Sequence, residues 1–134
     1  MVVLSFVDLQ SVYKRVKGSA GSRSCSVMIM AAYDIDSLSA TKILTQMLRT
    51  DNILHTLLPV GNISHVQAAF QQRTQNIDTI FLINCGAIYN IPSIFNLYDN
   101  PDLHIYVLDN HRPIHLKNVY SDAVTIFDDN QLDE

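Results

Sequence analysis

Two hydrophobic rhythms alternate along this chain. Residues 27–33, VMIMAAY, are apolar without a break, the mark of a strand covered on both faces. From Ser37 to Thr50 the rhythm changes: Leu38, Ile43, Leu44, Met47 and Leu48 recur at helical spacing, with Asp36 or Ser37 as the expected cap. The alternation then repeats. Residues 53–60 predict a strand, 63–75 a helix, 79–86 a strand, 91–98 a short helical turn and 103–111 a strand. HLKNVY (115–120) and AVTIF (123–127) read as two further extended segments. Ahead of them all, Phe6, Leu9, Val12, Tyr13 and Val16 make a helical stripe over 5–17, closed by the loop cluster GSAGSRS at 18–24. Strands alternating with helices predict an α/β fold: a doubly wound, mainly parallel sheet with helices on both faces.

Composition narrows this picture. The chain has 134 residues, enough for one domain with a single core. It is 48% apolar and 16% charged, which excludes a disordered protein. The apolar run at 27–33 is too short to cross a bilayer, and the start lacks the basic flank of a signal peptide, so an intracellular protein with no membrane partner is expected. Cys25 and Cys85 lack C-x-x-C spacing, which argues for reduced core thiols rather than a zinc site or disulfide.

Charge is unevenly spread. The net value of −4 argues against a dedicated duplex-DNA binder, whose phosphate contacts need a basic face. Residues 1–24 nevertheless carry Lys14, Arg15, Lys17 and Arg23 against the single acid Asp8. These four are weak candidates for touching single-stranded DNA; a solvated helix face is the blander reading. Residues 128–134, DDNQLDE, read as the start of an acidic linker or tail after a domain spanning 1–127.

The candidate chemistry sits at strand ends. In open parallel sheets, ligands bind at the carboxyl ends of strands near the point where strand order reverses. Asp34 and Asp36 follow the first apolar run, Asn84 and Gly86 close the 79–86 strand, and Asp109, His111 and Arg112 close the 103–111 strand. Adjacent strands lie about 5 Å apart, so these groups are able to converge. Carboxylates with an imidazole suit Mn²⁺ or a similar ion that activates water for phosphoester hydrolysis. The competing reading is structural: Asp36 capping the helix with Asp34 paired to a neighbouring backbone N–H, a turn at Asn84, and a hydrogen-bonded His111 beside Asp109 or Asp36. His55, His65, His104 and His115 lack ligand spacing.

These same stretches carry a resemblance. D-x-D after the first strand, the LINCG strand end and D-x-H after a later strand resemble the first three motifs of DHH phosphoesterases, the superfamily of the RecJ exonuclease. More closely, DIDSLSATKIL (34–44), FLINCGA (81–87) and DNHRPIHLKNVY (109–120) resemble the amino-terminal DHH/RecJ-like domain of the cell division cycle protein 45 family. The resemblance implies a DNA replication initiation and elongation factor acting in the nucleus. It would be one subunit of a replicative helicase, beside the minichromosome maintenance ring and the GINS complex. Contact with single-stranded DNA and DNA polymerases is also implied.

The departures from the active superfamily are specific. Ser37 stands where a glycine follows the second Asp, Asn84 where a metal-bridging carboxylate is expected, and Asn110 where the first histidine of the third motif belongs. A neutral amide is a poor bridge between two cations. The cluster Asp34, Asp36, Asn84, Asp109 and His111 therefore reads as vestigial, with no catalytic residue, no metal and no cofactor expected. Arg112 is expected to neutralise the acids in place of an ion. A non-catalytic helicase scaffold is the first expectation, a Mn²⁺-dependent single-strand exonuclease or phosphoesterase the second. A phosphate-binding switch domain ranks last, for want of a Gly-rich loop.

Overall fold

Parallel strands in register build the centre of the molecule. The computed structural model describes residues 3–5, 13–16, 26–71, 77–86, 88–97, 103–109, 115–119, 121 and 123–128. In chain order the elements are β1 (Val3–Ser5), a helix described at 13–16 (α1), β2 (Ser26–Ala32), α2 (Ile35–Thr50), β3 (His55–Val60) and α3 (Ile63–Gln71). There follow β4 (Ile77–Ile83), α4 (Ile91–Ile94), β5 (His104–Leu108), α5 (Leu116–Val119) and β6 (Val124–Asp128). The six described strands form one sheet in the order β1-β6-β5-β4-β2-β3, and every adjacent pair is parallel.

The unbroken apolar run of β2 has the predicted cause. Val27, Ile29 and Ala31 enter one core cluster, with Val16 of α1 and Leu48 of α2, while Met28 and Met30 enter the other, with Val66 and Phe70 of α3 and Ile91 of α4. Helices therefore cover both faces. Each large side chain removed from water contributes about 1.5–3 kcal/mol before entropy is counted. Phe81 of β4 stacks on Tyr106 of β5 at 5.2 Å in the first cluster, and Phe70 meets Phe95 edge-on at 4.7 Å in the second.

Helix α2 is closed at both ends by its own sequence. At its start, Asp34 is extended (φ −140°, ψ 168°) and its Oδ1 accepts from the Ser37 N–H at 2.7 Å. Asp34 is thus the N-cap, correcting the expectation of Asp36 or Ser37. Asp36 already lies in the first turn, and Ser37 points inward, fully buried. At its end, Asn52 adopts φ +58° and the Ile53 N–H reaches back to the Leu48 carbonyl at 2.8 Å. That is a Schellman closure with Asn in the left-handed position.

Two other expectations are corrected. Ser5 belongs to strand β1, paired with β6, so the helical stripe expected over 5–17 does not begin at 5; only 13–16 of it falls among the described residues as helix. Residues 115–120 were expected to be extended, yet Leu116–Val119 form a helical turn, α5. Its Asn118 side chain makes tertiary hydrogen bonds that local pattern does not encode. β6 takes in Asp128, so the first acid of the expected linker lies in the sheet. Residues 129–134, Cys25 and the end of the 63–75 helix beyond Gln71 lie outside the described residues. No helix among the described residues is long and apolar enough to cross a membrane.

Candidate functional site

Strand order reverses between β2 and β4. The chain leaves β2 for β3 on one side and leaves β4 for β5 on the other. A crevice opens at the carboxyl ends of strands where such a reversal occurs, and two of the predicted residues meet there. Asn84 follows β4 directly, in the left-handed conformation (φ +57°) that Asn tolerates better than most residues. Its backbone N–H donates to the Leu108 carbonyl at 2.7 Å, tying the end of β4 to that of β5. Its side-chain Nδ2 donates to Asp34 Oδ2 at 2.5 Å, tying β4 to the start of α2. The Asp34 carboxylate is therefore engaged on both oxygens: Oδ1 caps the helix and Oδ2 holds the amide.

The third strand end closes the same crevice. Asp109 follows β5, is 8% exposed, and lines a cavity of about 220 Å³ together with Ala32, Asn62, Asn84, Cys85 and Gly86. Burial pushes the Cys85 thiol up to about 12, assisted by the negative charges of Asp109 and then Asp34. Its Sγ lies 3.7 Å from the Met30 carbonyl. Gly86 sits at φ +101°, and a Cβ there would lie 2.8 Å from Leu82 Cδ1. The turn needs glycine for its left-handed conformation.

Asp36 is not part of this arrangement. It stands exposed on the first turn of α2, where its charge complements the helix dipole. His111, with Asn110, Arg112 and Pro113, lies outside the described residues, as do Lys17 and Arg23. Lys14 and Arg15 are exposed on α1, which is fastened to α2 by the Tyr13 hydroxyl donating to the Asp51 carboxylate and to the Met47 carbonyl. The Asp51 contact and burial together push the Tyr13 hydroxyl up to about 12, burial being the larger cause. Arg15 also helps depress the protonation of His104, after burial. His104 opens β5, so Arg15 stands toward the amino-terminal edge of the sheet. Asp34 and Asn84 lie at the opposite edge. Arg15 and the acidic crevice are therefore separate features.

Sequence reasoning missed the residue that fixes the rim of the cavity. Asn118 of α5 is fully buried; its Oδ1 accepts from the Ile91 N–H at 2.9 Å and its Nδ2 donates to the Tyr89 carbonyl at 2.7 Å. It thereby holds the 88–91 segment, which follows the cavity-lining Gly86 and includes Tyr89 on the cavity wall. The NVY ending of the segment 109–120 was the available signal. His65, set aside for lack of ligand spacing, instead accepts the Gly61 N–H through Nδ1 at 2.9 Å beside the same opening.

A resident metal is what such strand ends hold in active phosphoesterases, and the donor set tests whether one fits. Among the described residues no three His, Cys, Asp or Glu groups come together as ligands. Asn84 presents a donor, not a carboxylate, to Asp34. These residues do not fit a two-cation centre.

Comparison with known proteins settles the lineage. The CDC45 family model matches residues 27–134. The chain belongs to the CDC45 family. The cell division control protein 45 homolog of Schizosaccharomyces pombe is 33% identical over 131 residues, covering 95% of this chain and 20% of that protein. The chain thus spans about a fifth of the length of the curated relatives it matches. Among solved structures, CDC45 from Entamoeba histolytica superposes with a TM-score of 0.85 at 20% identity, over 97% of this chain and 26% of that one. RecJ from Thermus thermophilus, solved with Mn²⁺, superposes with a TM-score of 0.56 at 16% identity, over 84% of this chain and 16% of RecJ. At those identities the two structures show a shared fold, the CDC45 and RecJ α/β fold that the strand-end motifs predict.

Proposed function

We propose that this chain is a non-catalytic, DHH-like domain of a DNA replication factor. In this reading it scaffolds a nuclear replicative helicase by docking beside the minichromosome maintenance ring and the GINS complex. Family membership supports the replication role. The observation that carries the loss of catalysis is the hydrogen bond from Asn84 to Asp34. In a working two-metal phosphoesterase, carboxylates at these strand ends share cations and activate water. Here an amide N–H occupies the carboxylate instead, so the strand ends are held together by a hydrogen bond in place of an ion. The sheet keeps its packing without its chemistry, because the packing rests on the two core clusters and not on the crevice. Lys14, Arg15, Lys17 and Arg23 are the proposed accessory contacts to single-stranded DNA. DNA polymerases are further candidate partners, and the acidic residues after Asp128, the last residue of β6, are the proposed start of a linker.

The test is a Mn²⁺ titration with thermal unfolding, run beside hydrolysis of a 5′-phosphorylated single strand. An ion bound to the native state raises the unfolding temperature by mass action; the expected result is no shift and no hydrolysis. A shift together with strand hydrolysis overturns the proposal in favour of an exonuclease. Failure of the complete polypeptide to co-purify with GINS or the helicase ring overturns the scaffolding role alone.

A further inference from the structure

Asn84 brings a neutral amide into acidic surroundings. Asp34 lies against its Nδ2 at 2.5 Å, and Asp109, 8% exposed, lines the same cavity. Both carboxylates oppose ionisation of the Cys85 thiol, so both charges are felt at the cavity floor. Neither Lys nor Arg is among the described residues that line it. The backbone at position 84 is fixed without help from the side chain: its N–H donates to the Leu108 carbonyl at 2.7 Å, and its φ is +57°. Asp enters that left-handed region about as readily as Asn. An aspartate at this position would therefore keep the strand-end turn and deliver its carboxyl where the amide now stands. The exchange is one of charge, at unchanged shape.

An amide N–H and a divalent cation compete for the same carboxylate oxygen. Oδ1 of Asp34 is committed to the Ser37 N–H, and Oδ2 is taken by the amide. Asn84 thus joins the end of β4 to the start of α2 with no ion between them. A carboxylate in its place would stand at hydrogen-bond distance from Asp34, with Asp109 in the same cavity. Like charges this close repel unless a proton or a cation lies between them. Carboxylates completed by water are the ligand set that suits Mn²⁺. Asp36 takes no part, being exposed on the first turn of α2. We infer that the Asn84 amide is the group that keeps divalent cations out of this crevice, and that one carboxylate in its place makes a site for a single Mn²⁺ ion with Asp34 and Asp109. The inference rests on the non-catalytic reading above, to which it adds the residue that maintains the exclusion. It assigns no reaction to the altered site.

The test compares the complete polypeptide encoded by the gene with its Asn84→Asp and Asn84→Ala variants. Bound Mn²⁺ is counted from the loss of the free-ion electron paramagnetic resonance signal, and thermal unfolding is recorded in chelator and in excess MnCl₂. Asn84→Asp is expected to bind one more ion per chain than the native protein and to unfold at least about 3 °C higher with Mn²⁺ than with chelator. Asn84→Ala removes the amide without adding charge and is expected to gain no ion. A folded Asn84→Asp protein that gains none overturns the inference and leaves the non-catalytic reading standing. An Asn84→Asp protein that fails to fold with Mn²⁺ and with chelator alike also overturns it, because the ion was to join the strand ends. A gain in Asn84→Ala overturns the need for a carboxylate, and the inference with it. An ion already held by the native protein and lost in Asp34→Ala overturns both the inference and the non-catalytic reading.

Discussion

Two asparagines join distant parts of this domain, and they do it in opposite surroundings. Asn84 reaches Asp34 across 50 positions of sequence at the partly solvated mouth of the crevice. Asn118 reaches Ile91 and Tyr89 across 27 and 29 positions and is fully buried. The chemistry of the side chain is the same. What differs is the consequence of losing it, because water replaces a lost partner at the mouth but does not reach the buried Ile91 N–H at the clasp. The mouth is thus where a side chain can change at small cost to the fold. The clasp is where it cannot.

Four measurements break or sharpen this contrast. The largest effect tests how closed the floor of the mouth is. With its pKa pushed from an ordinary 9.0 to about 12, Cys85 is expected to react with a thiolate-specific reagent at pH 7–8 on the order of a thousandfold more slowly than a free thiol. Peptide-resolved alkylation checks it, and an ordinary rate would mean the crevice floor is wet. The raised value also sets the sign of a pH effect. The fold favours the protonated thiol, so this contribution to stability is complete below about pH 9 and declines as pH rises from there toward 12. Asp109→Asn is expected to speed the labelling by removing the carboxylate that acts more strongly on the thiol.

Asn118→Ala comes next. It leaves the Ile91 N–H and the Tyr89 carbonyl only their mutual contact at 3.0 Å, and denaturant unfolding is expected to show a loss of about 2 kcal/mol. A loss below about 1 kcal/mol would place the clasp on the same footing as the mouth. Third, Asp34→Ala removes an N-cap and an exposed contact to Asn84, with an expected cost of about 1 kcal/mol. Asp34→Ser keeps a capping oxygen and is expected to recover most of that loss, which separates the cap from the Asn84 contact. Smallest is Asp36→Ala, which removes only a favourable charge on the first turn of α2 and is expected to change stability by about 0.5 kcal/mol or less. If Asp36→Ala matched Asp34→Ala, the two acids of D-x-D would be equivalent, contrary to the structure.

The pair Asp34 and Asp36 also shows how far the residues speak for themselves. Their spacing after an apolar run marks a strand end and a helix start, and both are present. Which of the two turns into the crevice depends on where the helix begins, and a cap two or three positions earlier than expected reverses the roles. HLKNVY failed as a strand for a related reason. Four residues offer too short a window for periodicity to speak, and the turn is held by Asn118 bonding to the 89–91 segment. Asn84, by contrast, was legible twice over, as a departure from a carboxylate and as a hydrogen-bonded turn residue before Gly86; its left-handed backbone came only with the structure.

By itself, the sequence determined the class of fold and the edge of the sheet on which to look. Apolar runs and helical stripes are local signals whose period is imposed by backbone geometry. The tertiary structure alone decided that Asp34 pairs with Asn84, that Asp36 does not, and that Arg15 lies toward the other end of the sheet. Those outcomes depend on which strands become neighbours. A parallel sheet makes neighbours of residues some fifty positions apart, a relation that no local periodicity records.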